Sequence, residues 1–322
     1  MRLAIIGTGK ITERFIDAAR GQDIEICAVV SRSGERGRQY AEAHGFDRVF
    51  TSVGALGEAD DIDAAYIASP NALHAPYAIE LLERGKHVLC EKPLAANLAE
   101  GEAMFAAADR GGAVLLEAMR SVHDPGFARL AELTGKIGKI RRAHFTLCQY
   151  SSRYDSFRRG TVENAFNPSL ANAAVMDIGV YCVSPMVRLF GLPESVVSAS
   201  VFLSNGFEGE GTAVLRYEDM LGEVQYSKIT EGPKNNQIQG EDGTLIIDAI
   251  EDTRRIELRR RGCEPEVYII EKSPNNMYYE VGEFIRLAAG AEDVHRIHSL
   301  NTLRVLDEIR RVSGVSFTAA ER

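Results

Sequence analysis

Short apolar runs alternate with longer amphipathic stretches through the first third of the chain. Leu3 to Ile6 runs into Gly7, and Ile24 to Val30, Ala64 to Ala68, His87 to Glu91 and Val114 to Leu116 follow in turn. Continuous apolar runs of this length predict parallel strands buried on both faces. The intervening stretches predict helices. The first carries Phe15, Ala18 and Ala19 on one face, and the second is polar, around residues 35–44. A third runs from Ala72 to Arg84, and a fourth from Asn97 to Asp109 with Asn97 and Glu100 spaced as a capping box. Repeated strand-helix-strand units imply a doubly wound parallel sheet.

After about residue 120 the period changes to two. Gly138 to Tyr150, Val196 to Leu203, Gly211 to Tyr217, Gly222 to Thr230, Thr244 to Ala249 and Arg255 to Arg260 read as strands. Several are joined by short Gly-, Asp- or Asn-containing connections, which predicts mostly antiparallel neighbours. Helices are expected near 276–289 and 299–312. The pattern predicts two domains: an α/β dinucleotide-binding domain over 1–119, and an α+β domain over 120–322 built on a broad, mostly antiparallel sheet.

Composition narrows what these domains do. The 322 residues hold 37 Lys plus Arg against 46 Asp plus Glu, a formal net charge of −9. An acidic balance argues against nucleic-acid binding, which needs a basic footprint. No run approaches the ~18 uninterrupted apolar residues of a membrane span, so no membrane partner is expected. Five scattered cysteines and seven dispersed histidines form no metal-ligand spacing. With only four apolar residues before Gly7, the start lacks a secretory leader's apolar core, and a cytoplasmic protein with reduced thiols is expected.

Gly7-Thr8-Gly9-Lys10-Ile11-Thr12 lies where a dinucleotide-binding turn belongs, between the first strand and the first helix. Gly7 permits the tight turn, and Gly9 lets the backbone approach a pyrophosphate at the positive end of the helix. Thr12 replaces the third glycine of the usual fingerprint. The tip of the second strand selects the cofactor, because an acid ~20 residues beyond the glycines would bind the ribose hydroxyls of NAD. Here Val30 is followed by Ser31 and Arg32, with Arg36 close behind and no acid. A hydroxyl beside a guanidinium suits a 2′-phosphate, so NADP(H) is expected and NAD(H) is the alternative. Glu91-Lys92-Pro93 ends a parallel strand, the edge at which open α/β sheets bind ligands. Asp177 and Tyr181 stand four residues apart on a predicted helix and so face the same way.

Taken in order, these pieces resemble the glucose–fructose oxidoreductase/inositol dehydrogenase (Gfo/Idh/MocA) family: the glycine turn, Ser69-Pro70-Asn71 with His74, Glu91-Lys92-Pro93, and Asp177-Ile178-Gly179-Val180-Tyr181. Tyr at 181 and Glu117-Ala118-Met119 look like its dimeric dihydrodiol dehydrogenase and anhydrofructose reductase branch. The resemblance implies a Rossmann domain, an open-faced second sheet, and hydride transfer between NADP(H) and a carbinol or carbonyl carbon of a sugar, cyclitol or dihydrodiol. It implies that Lys92 binds the reacting oxygen while Asp177 and Tyr181 complete the proton path, and that Ser69, Pro70, Asn71, His74, Glu91 and Lys92 contact the cofactor. It also implies a homodimer, or a tetramer, formed through the open sheet face. One departure is that the glycine run preceding the Asp motif in family members is here Leu170-Ala171-Asn172-Ala173-Ala174. Asn172 is expected to supply the left-handed turn. Arg120 and Tyr154 are further candidates for substrate contact. The competing readings are an NAD-dependent inositol or sugar dehydrogenase, and a non-catalytic dinucleotide-binding sensor.

Overall fold

The computed structural model describes residues 1–317. By contact the chain divides into two compact units, Met1–Met119 with Ser273–Leu300, and Arg120–Lys272 with Asn301 onward.

In the first unit β1 (Arg2–Ile6), α1 (Lys10–Ala19), β2 (Glu25–Val30), α2 (Gly34–His44), β3 (Arg48–Phe50), α3 (Val53–Gly57), β4 (Ala64–Ile67), α4 (His74–Leu82), β5 (His87–Glu91), α5 (Leu98–Gly111) and β6 (Leu115–Ala118) follow one another. The strands form one parallel sheet in the order β3-β2-β1-β4-β5-β6. Because every strand runs the same way, all carboxyl ends share one edge, and the order reverses between β1 and β4. That switch point is where ligands bind in open α/β sheets. Asn97 caps α5 by accepting from Glu100 N at 2.9 Å, and the Glu100 carboxylate reaches back to Ala96 N.

The second unit opens with α6 (Arg120–His123), α7 (Pro125–Thr134), β7 (Ile140–Cys148), α8 (Tyr154–Arg158) and, after a π-helical turn at Val175–Gly179, α9 (Val180–Phe190). Then come β8 (Ser195–Phe202), β9 (Glu208–Arg216), β10 (Leu221–Ser227), β11 (Asn236–Gly240), β12 (Gly243–Ile247), β13 (Arg255–Arg260) and β14 (Glu266–Ile269). Their order is β14-β13-β12-β11-β7-β10-β9-β8, antiparallel except for the parallel pair β7 and β10. Gly222, Val224 and Tyr226 face α9 and the turn before it, so tightly that a β-carbon on Gly179 would lie 2.9 Å from the Tyr226 ring. The opposite face carries His144, Glu223, Gln225, Thr212 and Val197, all half-buried or exposed. Pro168–Phe190 has the length and hydropathy of a spanning segment, but 78% of its apolar window is buried inside the protein.

Two further helices, α10 (Met277–Ala288) and α11 (Arg296–Ser313), close the described chain. The sequence pattern assigned both to the domain over 120–322. Instead α10 lies in the first unit, where Met277, Val281, Phe284 and Leu287 join Leu3, Ile5, Phe15 and Tyr66 in one core. Their i, i+4, i+7 spacing makes an apolar stripe, and each such side chain contributes about 1.5–3 kcal/mol on burial. Chain proximity to the second sheet did not outweigh that match.

Candidate active site

The sequence-predicted residues of the first unit stand at the carboxyl ends of β1, β2, β4 and β5 or in the loops and first helical turns that follow. Gly7 has φ +116°, and a β-carbon there would meet Ala68 O at 2.5 Å, so the first glycine serves close passage between β1 and the loop after β4. Gly9 is different. Its backbone is extended, φ −90° and ψ 177°, it supplies no side-chain cap to α1, and nothing lies within 4 Å of where its β-carbon would stand. The first-turn N–H groups of α1 therefore adjoin open space beside a glycine, the cradle an anionic pyrophosphate requires. Thr12 takes the place of the third glycine productively: fully buried, it donates from Oγ1 to Gly7 O at 3.3 Å and closes the turn. Thr8 and Lys10 are exposed and Ile11 half-buried beside this space.

At the tip of β2, Ser31 Oγ donates to Ser33 O at 2.9 Å, and Ser33 Oγ accepts from Arg36 N to cap α2. Arg32 and Arg36 are exposed there, whereas Arg38 is drawn to Glu35 at 2.8 Å. Ser31 follows β2 directly, with exposed Arg32 beside it and exposed Arg36 in the first turn of α2, and a hydroxyl with two guanidinium groups is a donor set that fits a phosphate monoester. The residues present fit a 2′-phosphorylated dinucleotide.

Ser69, Pro70 and Asn71 follow β4, half-buried. His74 is 1% exposed, with Nδ1 2.9 Å from Pro93 O and Nε2 3.0 Å from Ser69 O. Burial lowers its pKa against the pull of those carbonyls. Expected as a cofactor contact, His74 instead braces the loops after β4 and β5 to each other. Glu91 is also a brace. One carboxylate oxygen accepts from Tyr66 Oη at 2.5 Å, the other from Lys92 N at 3.2 Å, and Tyr66 stacks on Phe15 with centroids 3.8 Å apart. Lys92, half-buried, therefore leaves β5 from a fixed backbone, through a cis Lys92–Pro93 peptide. Beneath it Glu117, 4% exposed, accepts from Leu94 N at 3.0 Å, and burial pushes its carboxyl above the ordinary range.

In the second unit Tyr181 is 7% exposed, and its Oη accepts from Arg120 Nε at 3.1 Å while the guanidinium stands 5.1 Å from the ring centroid. Asp177 lies in the π-helical turn and pairs through Oδ2 with Lys228 Nζ at 2.8 Å. The left-handed residue preceding this turn is Ala171, at φ 57°, and not Asn172 as expected. Asn172 instead donates from its amide to Asn164 O at 2.8 Å. Tyr154 packs edge-on to Tyr150 and stacks with Phe157 and Phe166, in an aromatic cluster.

Lys228 is the residue that sequence reasoning passed over. It lies directly after β10 in a stretch that reads as ordinary strand, and its burial depends on two phenylalanines remote in sequence. Among the described residues no group of three or more His, Cys, Asp or Glu is placed to hold a metal ion.

A parallel sheet with a glycine turn at its switch point, followed by a broad mixed sheet, defines a two-unit protein of the dinucleotide-binding class. Residues 1–119 match the oxidoreductase family with NAD-binding Rossmann fold, and residues 128–246 match the GFO/IDH/MocA C-terminal domain. The chain belongs to the Gfo/Idh/MocA family. It is 43% identical, over 99% of both chains, to the scyllo-inositol 2-dehydrogenase (NADP(+)) of Bacillus subtilis. It is 26% identical, over 99% of this chain and 98% of the relative, to the trans-1,2-dihydrobenzene-1,2-diol dehydrogenase of Danio rerio. Among solved structures, a 3-ketoreductase from Actinomadura kijaniata in complex with NADP and TDP-benzene shares the fold, with TM-score 0.86 at 22% identity over 97% of this chain and 98% of that one.

Proposed function

We propose that this chain is an NADP(H)-dependent dehydrogenase that interconverts a secondary alcohol and a ketone on a cyclitol or related polyhydroxylated ring. The observation that carries the reading is the near full-length 43% identity to an NADP-dependent scyllo-inositol dehydrogenase. Ser31 and Arg32 directly after β2 and Arg36 at the start of α2, with no carboxylate at the strand end, support NADP(H) over NAD(H). Thr8 to Ile11 would hold the pyrophosphate, and Ser69 to Asn71 would line its path. When bound, the nicotinamide supplies or accepts the hydride.

The chain's own residues handle the oxygen and the proton. The Lys92 ammonium holds the reacting oxygen and stabilises negative charge as it develops there. Tyr181 exchanges the proton: in reduction its hydroxyl donates to the carbonyl oxygen, and in oxidation the same oxygen takes the hydroxyl proton back. Arg120 orients that phenol through the 3.1 Å hydrogen bond. Asp177 accepts from a substrate hydroxyl. In the same reading the protein works in the cytoplasm as a homodimer. The exposed Val197 and Val201 on the open sheet face support pairing there.

The test is NADP⁺ reduction with scyllo-inositol, myo-inositol, D-xylose and a trans-dihydrodiol, comparing wild type with Lys92→Met and Tyr181→Phe. Turnover should fall by about 10²–10⁴ in each variant, the usual worth of a positioned acid or base, with melting temperature and NADPH affinity little changed. Both variants keeping wild-type turnover would show that other residues do the chemistry. Tight NADPH binding without turnover on any substrate would favour a sensor.

A further inference from the structure

We infer that Lys228 is a positioning residue that fixes the direction of the Asp177 carboxylate toward a hydroxyl of the polyol. The inference rests on the reading above, in which Asp177 meets substrate.

Lys228 is 3% exposed, so its ammonium gives up hydration on burial and must recover it from protein groups. Its compensation is local. Nζ lies 2.8 Å from Asp177 Oδ2 and donates to Ala165 O at 2.9 Å. The rings of Phe166 and Phe207, both fully buried, stand 4.9 and 5.2 Å away and add cation–π attraction. The stem is equally constrained, since Lys228 N donates to Gly209 O and Lys228 O accepts from Ser151 N, each at 2.9 Å. The cation therefore occupies one place.

Its partner is not symmetrical with it. The Asp177 side chain is 38% exposed, so the pair has a buried cationic root and a carboxylate that reaches outward. Asp177 also rides on a π-helical turn whose Val175 N–H is held by the Glu208 carboxylate at 2.8 Å. Stability alone does not account for the arrangement, because a well-packed apolar side chain in such a box is commonly as stabilising as the ion pair, or more so. What a buried lysine adds is direction: it anchors one carboxylate oxygen and orients the group. A polyol ring presents hydroxyls around its edge, and an acceptor of fixed direction selects which of them lies beside the reacting carbon.

The experiment measures NADP⁺ reduction with scyllo-inositol for wild type, Lys228→Met, Asp177→Asn and the double variant, with NADPH affinity and melting temperature followed in parallel. Lys228→Met should lower kcat/KM for scyllo-inositol by about 10–10²-fold and leave NADPH affinity and KM for NADP⁺ unchanged. The double variant should be no worse than Asp177→Asn, because the lysine acts through the carboxylate. In Lys228→Ala, added n-propylammonium should restore turnover where n-propanol does not. Wild-type kcat/KM in Lys228→Met beside an impaired Asp177→Asn overturns the inference and leaves the function standing. Losses that multiply in the double variant overturn it too. Wild-type turnover in Asp177→Asn removes the role of Asp177 itself, and the inference with it. If Lys228→Met does not fold, Lys228→Ala decides, and a variant that propylammonium refolds without restoring turnover refutes the positioning role.

Discussion

The two glycines of the N-terminal turn should fail in opposite ways when each is replaced by alanine. Gly7→Ala forces a side chain onto φ +116° and drives its β-carbon to 2.5 Å from Ala68 O, which belongs to backbone and cannot swing aside. The unfavourable φ costs about 1–3 kcal/mol and the overpacking about 1–3 kcal/mol more. At roughly 2–4 °C per kcal/mol for a domain of this size, melting of the first unit should fall by about 5–20 °C. Gly9→Ala starts from an extended backbone that any residue adopts, with nothing within 4 Å of the new methyl. Its melting temperature should stay within about 2 °C of wild type. The methyl would occupy the space in which a pyrophosphate must approach the first-turn N–H groups of α1. Losing one charge-assisted hydrogen bond there costs about 1.5–3 kcal/mol, or about 10–150-fold in NADPH affinity. Differential scanning fluorimetry with and without NADPH, beside a fluorescence titration, reads both quantities. The reasoning is refuted if Gly9→Ala binds NADPH as wild type does, or if Gly7→Ala melts with wild type.

Two other outcomes follow from the same unit. Ser31→Asp sets a carboxylate where a 2′-phosphate would sit, so NADPH affinity should fall by about 10–100-fold while NADH affinity holds or improves; a wild type that prefers NADH would reverse the cofactor assignment. Glu117 has a folded pKa raised above its ordinary 4.5, so the folded state favours the protonated form and stability declines as pH rises from about 4.5 through the folded value. Glu117→Gln keeps an acceptor for Leu94 N and removes that titration. Its melting temperature should vary less between about pH 5 and 8 and at the upper end should equal or exceed wild type, as thermal melts across that range will show.

Elements whose apolar residues follow a strict period were legible before the fold was seen. β1, β2 and β5 announce themselves as short apolar runs, and the Asn97–Glu100 pair marks the start of α5. β11 was not legible, because Asn236-Gln237-Ile238-Gln239-Gly240 places only Ile238 among the core hydrophobics and owes its pairing to β7 and β12. The three-residue β3 is too short to show a period. Among the candidate residues, Lys92, Asp177 and Tyr181 stand out in the sequence because reactive side chains occur there beside turn and strand-end signals. Lys228 does not, since its meaning depends on Phe166, Phe207 and Asp177, which only tertiary folding brings to it. Thr12 stands where the fingerprint has its third glycine, and only the folded turn shows its hydroxyl donating to Gly7 O. His74 and Glu91 look like ligands in sequence because they are polar and near the strand ends. Burial and backbone partners turn them into supports.

The return of α10 to the first sheet has a consequence for modular exchange. A gene fragment ending at residue 119 would encode every strand of the nucleotide-binding sheet and yet leave Leu3, Ile5 and Tyr66 without Met277, Val281 and Phe284. Such a fragment would be released into the cell with an oily flank, and would be a poor donor for grafting cofactor preference onto another enzyme. Recombination that respects the fold needs crossovers after Met119 and after Lys272, and a third within α11. A lineage that shuffles these enzymes by single cuts would lose the piece that waterproofs the module.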